Sequence, residues 1–182
     1  NGTIAIYLAL KAKEIGEGHR VAVPNITMVA TINAVLWAGA EPVLVDVDES
    51  LCMSLKLLQE IQDLDAVIFV PLNGRTGSGE QIEKWCSNNK IILIEDSAHA
   101  LGSNYSNKKC GGLGDVSILS FTPHKIITSG QGGLVLTDDE DLYKKIYDYK
   151  SFNRENDASD WHKGFGLNFK FTDLQASLVL SQ

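Results

Sequence analysis

Short apolar runs alternate with helical patterns along this chain, and that alternation constrains the fold more than any other feature. VAVP (21–24), PVLVDV (42–47), AVIFV (66–70), KIILI (90–94), VSIL (116–119) and GLVLT (133–137) read as strands. Between them lie stretches with helical periodicity. Ile4, Leu8, Ala12 and Ile15 share one helix face, with Gly16 and Gly18 as its stop. Further helices are expected over 27–39, over 55–62 behind a Ser54 cap, over 80–88, and from Asp138 and Asp139 to about Tyr149, with buried aromatics along the last. Thr172 caps a final helix, and residues 73–79 and 150–166 read as turn and loop. Strands apolar on both faces need cover on both sides, as in a parallel sheet. The expected class is α/β: a three-layer domain around a mostly parallel sheet.

The 182 residues suffice for a substantial core, and 44% of them are apolar. A net charge of −7 argues against a nucleic-acid partner, which calls for a basic face. Three scattered cysteines give neither a disulfide framework nor a paired metal motif, and point to a reducing, cytoplasmic setting. No apolar run has membrane length. The chain opens on NGT immediately before a helix pattern and closes within TDLQASLVLSQ without a stop signal. It is therefore expected to be one portion of a longer protein.

Ligands in such sheets gather beyond the C-terminal strand ends. Gly2 and Thr3 precede the first helix and could offer N–H groups and a hydroxyl to a phosphate, or simply cap the helix. Asp96 ends the strand IILI; it could stay ionised beside a buried cation, or cap the turn through Ser97 and Ala98. His99 lies three residues on, as a structural or a catalytic imidazole. Lys125 follows a buried strand in SFTPHKIITSGQGG. Most lysines so placed are surface or phosphate contacts. A partly deprotonated one can condense with a carbonyl, and a strand-end carboxylate is the partner that pyridoxal phosphate (PLP) needs at its ring nitrogen. Phosphate-loop, dinucleotide, zinc-helix and nucleophile-elbow motifs are all absent.

Five segments, NGTIAIYLALKA, VAVPNITMVATINAVLWAGAEPVLVDVD, IEDSAHALGSNY, GGLGDVSILSFTPHKIITSGQGGLVLTDD and GLNFKFTDLQAS, carry a resemblance over essentially the whole chain. The spaced pair EDSAHALG and SF-x-x-x-K-x-x-x-x-G-x-G-G is the specific part. The chain resembles the DegT/DnrJ/EryC1/StrS sugar aminotransferases, and within them the large domain of fold-type I PLP enzymes.

That resemblance implies roles. Lys125 matches the lysine that bonds the cofactor aldehyde, and Asp96 the carboxylate at the pyridine nitrogen. His99 matches a position near the phenolic oxygen. Gly2, Thr3 and Ser120 match phosphate-cradling positions, and Asn168 an asparagine that reaches the neighbouring subunit's phosphate site, which implies a homodimer with shared sites. Met28 departs from the aromatic usual at the ring-stacking position; an ordinary core methionine in the second helix is its other reading. The implied activity moves an amino group, from a donor such as glutamate, to a nucleotide-linked keto-deoxy sugar. A related branch carries histidine at the lysine position and removes a sugar hydroxyl; here His124 only precedes Lys125. A PLP-dependent dehydratase and a catalytically inactive module of the same fold stand as alternatives. The usual N-terminal segment and C-terminal small domain lie outside the resemblance.

Overall fold

The computed structural model describes residues 1–156 and 159–182. Six strands form one sheet in the order β2-β1-β3-β4-β5-β6. They are β1 (Arg20–Pro24), β2 (Glu41–Val45), β3 (Ala66–Phe69), β4 (Ile92–Asp96), β5 (Val116–Ser120) and β6 (Gly133–Leu136). All pairings from β2 through β5 are parallel, and β6 runs antiparallel against β5. The helices are α1 (Gly2–Ala12), α2 (Val29–Ala38), α3 (Leu55–Leu58), α4 (Gly79–Asn89), α5 (Glu140–Lys150) and α6 (Asp173–Leu180).

Two apolar layers flank the sheet. On one face α1, α2 and α5 pack over Val21, Val23, Ile68, Ile94 and Ile118. On the other, Met53, Leu58, Ile82 and Leu113 pack over Ala22, Val67, Phe69 and Leu93. Side chains alternate across each strand, so consecutive residues feed different layers. The three-layer expectation holds. Burial on both faces holds for the inner strands but not at the edges, where Leu44 of β2 is 59% and Leu134 of β6 is 41% exposed.

Local differences have local causes. The first helix is capped by Asn1, whose Oδ1 accepts from the Ile4 N–H at 3.1 Å, rather than by Thr3. Its helix ends at Ala12, four residues before Gly16, with Glu14 in the left-handed region. Ser54 does cap α3, but that helix is a single turn that ends at Leu58. On α5 the fully buried side chains are Leu142 and Ile146, half-buried Tyr149 packs against the same layer, and Tyr143 is exposed; the edge facing the core is mixed aliphatic and aromatic. Thr172 and Gln175 form a reciprocal capping box on α6. No helix among the described residues is long and apolar enough to cross a membrane.

Candidate active site

A cleft of about 280 Å³ opens beyond the C-terminal ends of β4 and β5, between the start of α1, the start of α2 and the loop after β5. The fold brings seven of the eight sequence-selected residues to its walls: Gly2, Thr3, Met28, Asp96, His99, Ser120 and Lys125. Asn168 is exposed, in a bridge to Ser151, and does not line this cleft.

Asp96 forms the floor and is 4% exposed. Its Oδ2 accepts from the Thr31 hydroxyl at 2.8 Å and its Oδ1 from the Ala98 N–H at 3.2 Å. The turn-capping role and the buried-carboxylate role therefore coexist in one side chain. Burial pushes the carboxyl pKa up; the two donors and the charges of His99 and Lys125 act the other way.

Lys125 is half-buried, and desolvation lowers its pKa against the opposing pull of Asp96. Its loop is tied at the base. The Phe121 carbonyl accepts from the Thr128 hydroxyl at 2.9 Å and the Ser129 N–H at 3.1 Å, and the Phe121 N–H donates to Gly132 O at 2.9 Å. His99 is held below its usual pKa by burial first and by the Lys125 charge second. Its Nδ1 is buried without a hydrogen-bond partner, a state that a polar group placed in the cleft would relieve.

The start of α1 faces the same space. A Cβ on Gly2 would lie 3.1 Å from Ser120 Cβ, and one on Gly133 would lie 2.6 Å from the Asn1 carbonyl oxygen. Glycine at both positions lets the end of β5, the start of β6 and the helix N-terminus converge. Free N–H groups at a helix N-terminus suit an anion. Met28 is the N-terminal boundary residue of α2, with extended backbone and 57% exposure. The structure thus excludes the core-methionine reading and puts the thioether at the cleft wall.

The DegT/DnrJ/EryC1/StrS aminotransferase family profile matches residues 1–182. The chain belongs to this family. It is 37% identical over 185 residues to the GDP-perosamine synthase of Escherichia coli O157:H7, covering all of this chain and 51% of that protein. It is 33% identical over 193 residues to the spore coat polysaccharide biosynthesis protein SpsC of Bacillus subtilis, covering 99% of this chain and 50% of that one. Among solved structures, the aminotransferase from Psychrobacter cryohalolentis superposes with a TM-score of 0.94 at 33% identity, over all of this chain and 50% of that one. NtdA from Bacillus subtilis, solved with bound cofactor PMP, superposes with a TM-score of 0.90 at 29% identity, over 98% and 41%. The chain spans about half the length of the curated relatives it matches.

Sequence reasoning missed Thr31 and the part played by Glu95. Glu95 precedes Asp96 on β4 and points to the opposite face. It is fully buried. Its Oε1 accepts from the Ser97 hydroxyl at 2.6 Å and the Tyr105 hydroxyl at 2.8 Å. Its Oε2 accepts from the Gly111 N–H at 2.9 Å, the Leu113 N–H at 2.8 Å and the Ser117 hydroxyl at 3.0 Å. This one carboxylate ties down the helix-free connection from β4 to β5, which also carries Ala98 and His99. Its donors come from scattered loop positions, so no local motif announces it.

Proposed function

We propose that the full-length protein containing this domain is a PLP-dependent aminotransferase that moves an amino group from a donor such as glutamate to a nucleotide-linked keto-deoxy sugar. The observation that carries the reading is the pairing, across one cleft, of an amine of lowered basicity with a buried, doubly hydrogen-bonded carboxylate. The relatives' names support it: GDP-perosamine synthase, and a UDP-N-acetyl-3-dehydro-alpha-D-glucosamine 3-aminotransferase at 33% identity.

When bound, PLP supplies an aldehyde that takes up an amino group and a ring that accepts electron density from the substrate carbon. This chain's residues do the rest. Lys125 Nζ holds the cofactor covalently at rest and, once freed, removes and returns the substrate proton. Desolvation lowers the basicity of that amine, in the direction its role requires. Asp96 would pair with the pyridine nitrogen and keep its proton in place. His99 Nδ1, buried without a partner, would gain one in the phenolic oxygen. The amides at Gly2 and Thr3 and the Ser120 hydroxyl would hold the phosphate. The Met28 thioether would pack against the ring. Asn168, exposed and away from its own cleft, is assigned to the phosphate site of a second copy, which makes the working unit a homodimer. A cytoplasmic setting fits the three buried free thiols.

The related dehydratase reading draws on His124, which lines the same cleft. Lys125, not His124, occupies the position set against Asp96, and amino transfer is favoured for that reason. The test is spectroscopic. Glutamate added to the full-length protein shifts the visible absorbance of the bound cofactor, and Lys125→Ala removes both that band and borohydride-fixable cofactor. Unchanged turnover in Lys125→Ala would sink the assignment; loss of a sugar hydroxyl without a stable amino sugar would favour the dehydratase.

A further inference from the structure

We propose that Thr31, backed by Thr27, is a positioning residue that fixes the Asp96 carboxylate in the rotamer presented to the cleft; where it concerns the cofactor, this rests on the PLP reading above. Thr31 lies in the first turn of α2 and is fully buried. Its hydroxyl has one proton, and the 2.8 Å contact to Asp96 Oδ2 uses it. Thr27 Oγ1 lies 3.3 Å from Thr31 Oγ1. With the Thr31 proton committed to Asp96, Thr27 has to be the donor in that second contact. A directed chain results, from Thr27 at the cleft wall through Thr31 to the buried carboxylate.

The chain runs in this sense toward an ionised Asp96, whose two oxygens both accept. A proton placed on Oδ2 would reverse both hydroxyls together, while Oδ1 would keep the Ala98 N–H. The other groups facing Asp96 are the charges of His99, just beyond β4, and Lys125, in the loop after β5. Among the described residues, Thr31 is thus the one uncharged side chain that opposes the desolvation of Asp96. The same bond ties the start of α2 to the end of β4, and so sets the spacing between Met28 on one side of the cleft and Asp96 on its floor.

The experiment uses the full-length protein with Thr31→Val, which keeps the shape and deletes the hydroxyl, and Thr31→Ser, which keeps the hydroxyl. In the cofactor-free protein, the side-chain ¹³C resonance of Asp96 is followed against pH. Removing a donor to the charged form raises the titration midpoint in Thr31→Val, and Thr31→Ser stays with the wild type. With ¹⁵N-labelled PLP bound, the ring-nitrogen shift in Thr31→Val moves toward the unprotonated value. The kcat of the glutamate half-reaction falls roughly 10- to 100-fold, as loss of a hydrogen bond to a charged group implies, with KM changed less than about 3-fold. Thr31→Ser restores both readouts.

An unmoved Asp96 midpoint in Thr31→Val overturns the proposal. So does a Thr31→Ser variant that behaves like Thr31→Val, because packing rather than the hydroxyl would then be responsible. A wild-type protein that takes up no PLP would defeat the functional reading alone, since the cofactor-free titration still decides the role of Thr31.

Discussion

Replacing Glu95 tests whether one buried carboxylate organises the loop behind the cleft. In Glu95→Gln the amide cannot offer an acceptor to both sides. The Gly111 and Leu113 N–H groups cannot turn, so the side-chain carbonyl has to face them. The amide nitrogen then meets the Ser97 and Tyr105 hydroxyls, which can rotate and accept. Ser117 can pass its proton wholly to Leu113 O, already 3.0 Å away. The fold keeps its bonds but loses their charge assistance. At roughly 1 kcal/mol per bond between charged and neutral acceptors, with some rearrangement, the cost is about 2–4 kcal/mol. Glu95→Ala strands two backbone N–H groups at about 1–3 kcal/mol each and leaves a void as well. Both are large fractions of a typical stability of about 5–15 kcal/mol. The assay is native-state hydrogen exchange at the amides of Gly111 and Leu113 in the full-length protein. Protection falls roughly 30- to 1,000-fold in Glu95→Gln and further in Glu95→Ala. Wild-type protection at both amides in Glu95→Ala would refute the anchoring argument.

Two further outcomes follow from the cleft. Gly133→Ala forces a Cβ to within 2.6 Å of the Asn1 carbonyl oxygen and 2.8 Å of its carbon, so the start of α1 has to move; a stability loss of about 1–3 kcal/mol and weaker PLP binding are expected, read by thermal melting and fluorescence titration. Asp96 has a raised pKa in the folded state, so its contribution to stability is full below its unfolded value and is lost as pH rises through the folded value. The stability of the cofactor-free wild type relative to Asp96→Asn therefore increases as pH is lowered toward the ordinary carboxyl range, and a constant difference in melting temperature would contradict the burial argument.

The inner strands were legible because their apolar runs have no polar face, and the layers are the only way to cover them. The edge strands read alike in sequence; Leu44 and Leu134 are as apolar as core residues, and only their place at the margins exposes them. Asp96 and Lys125 drew attention because one ends a strand and the other lies in the loop that follows the next. Met28 was ambiguous because helical periodicity continues smoothly through it, whereas the chain turns helical only at Val29. Thr31 and Glu95 were silent for a different reason. Their significance lies in partners far away in sequence: Thr31 meets Asp96 across 65 positions, and Glu95 draws in Gly111, Leu113 and Ser117.

The neighbouring acids at the end of β4 leave that strand no spare length. Glu95 fastens the layer of Phe69 and Leu113, and Asp96 serves the layer of α1 and α2. Gaining or deleting a single amino acid here would exchange the two, sending the clamp into the cleft and the cleft's anion into the rear core. The loops around the cleft can change length without that exchange, but this strand cannot.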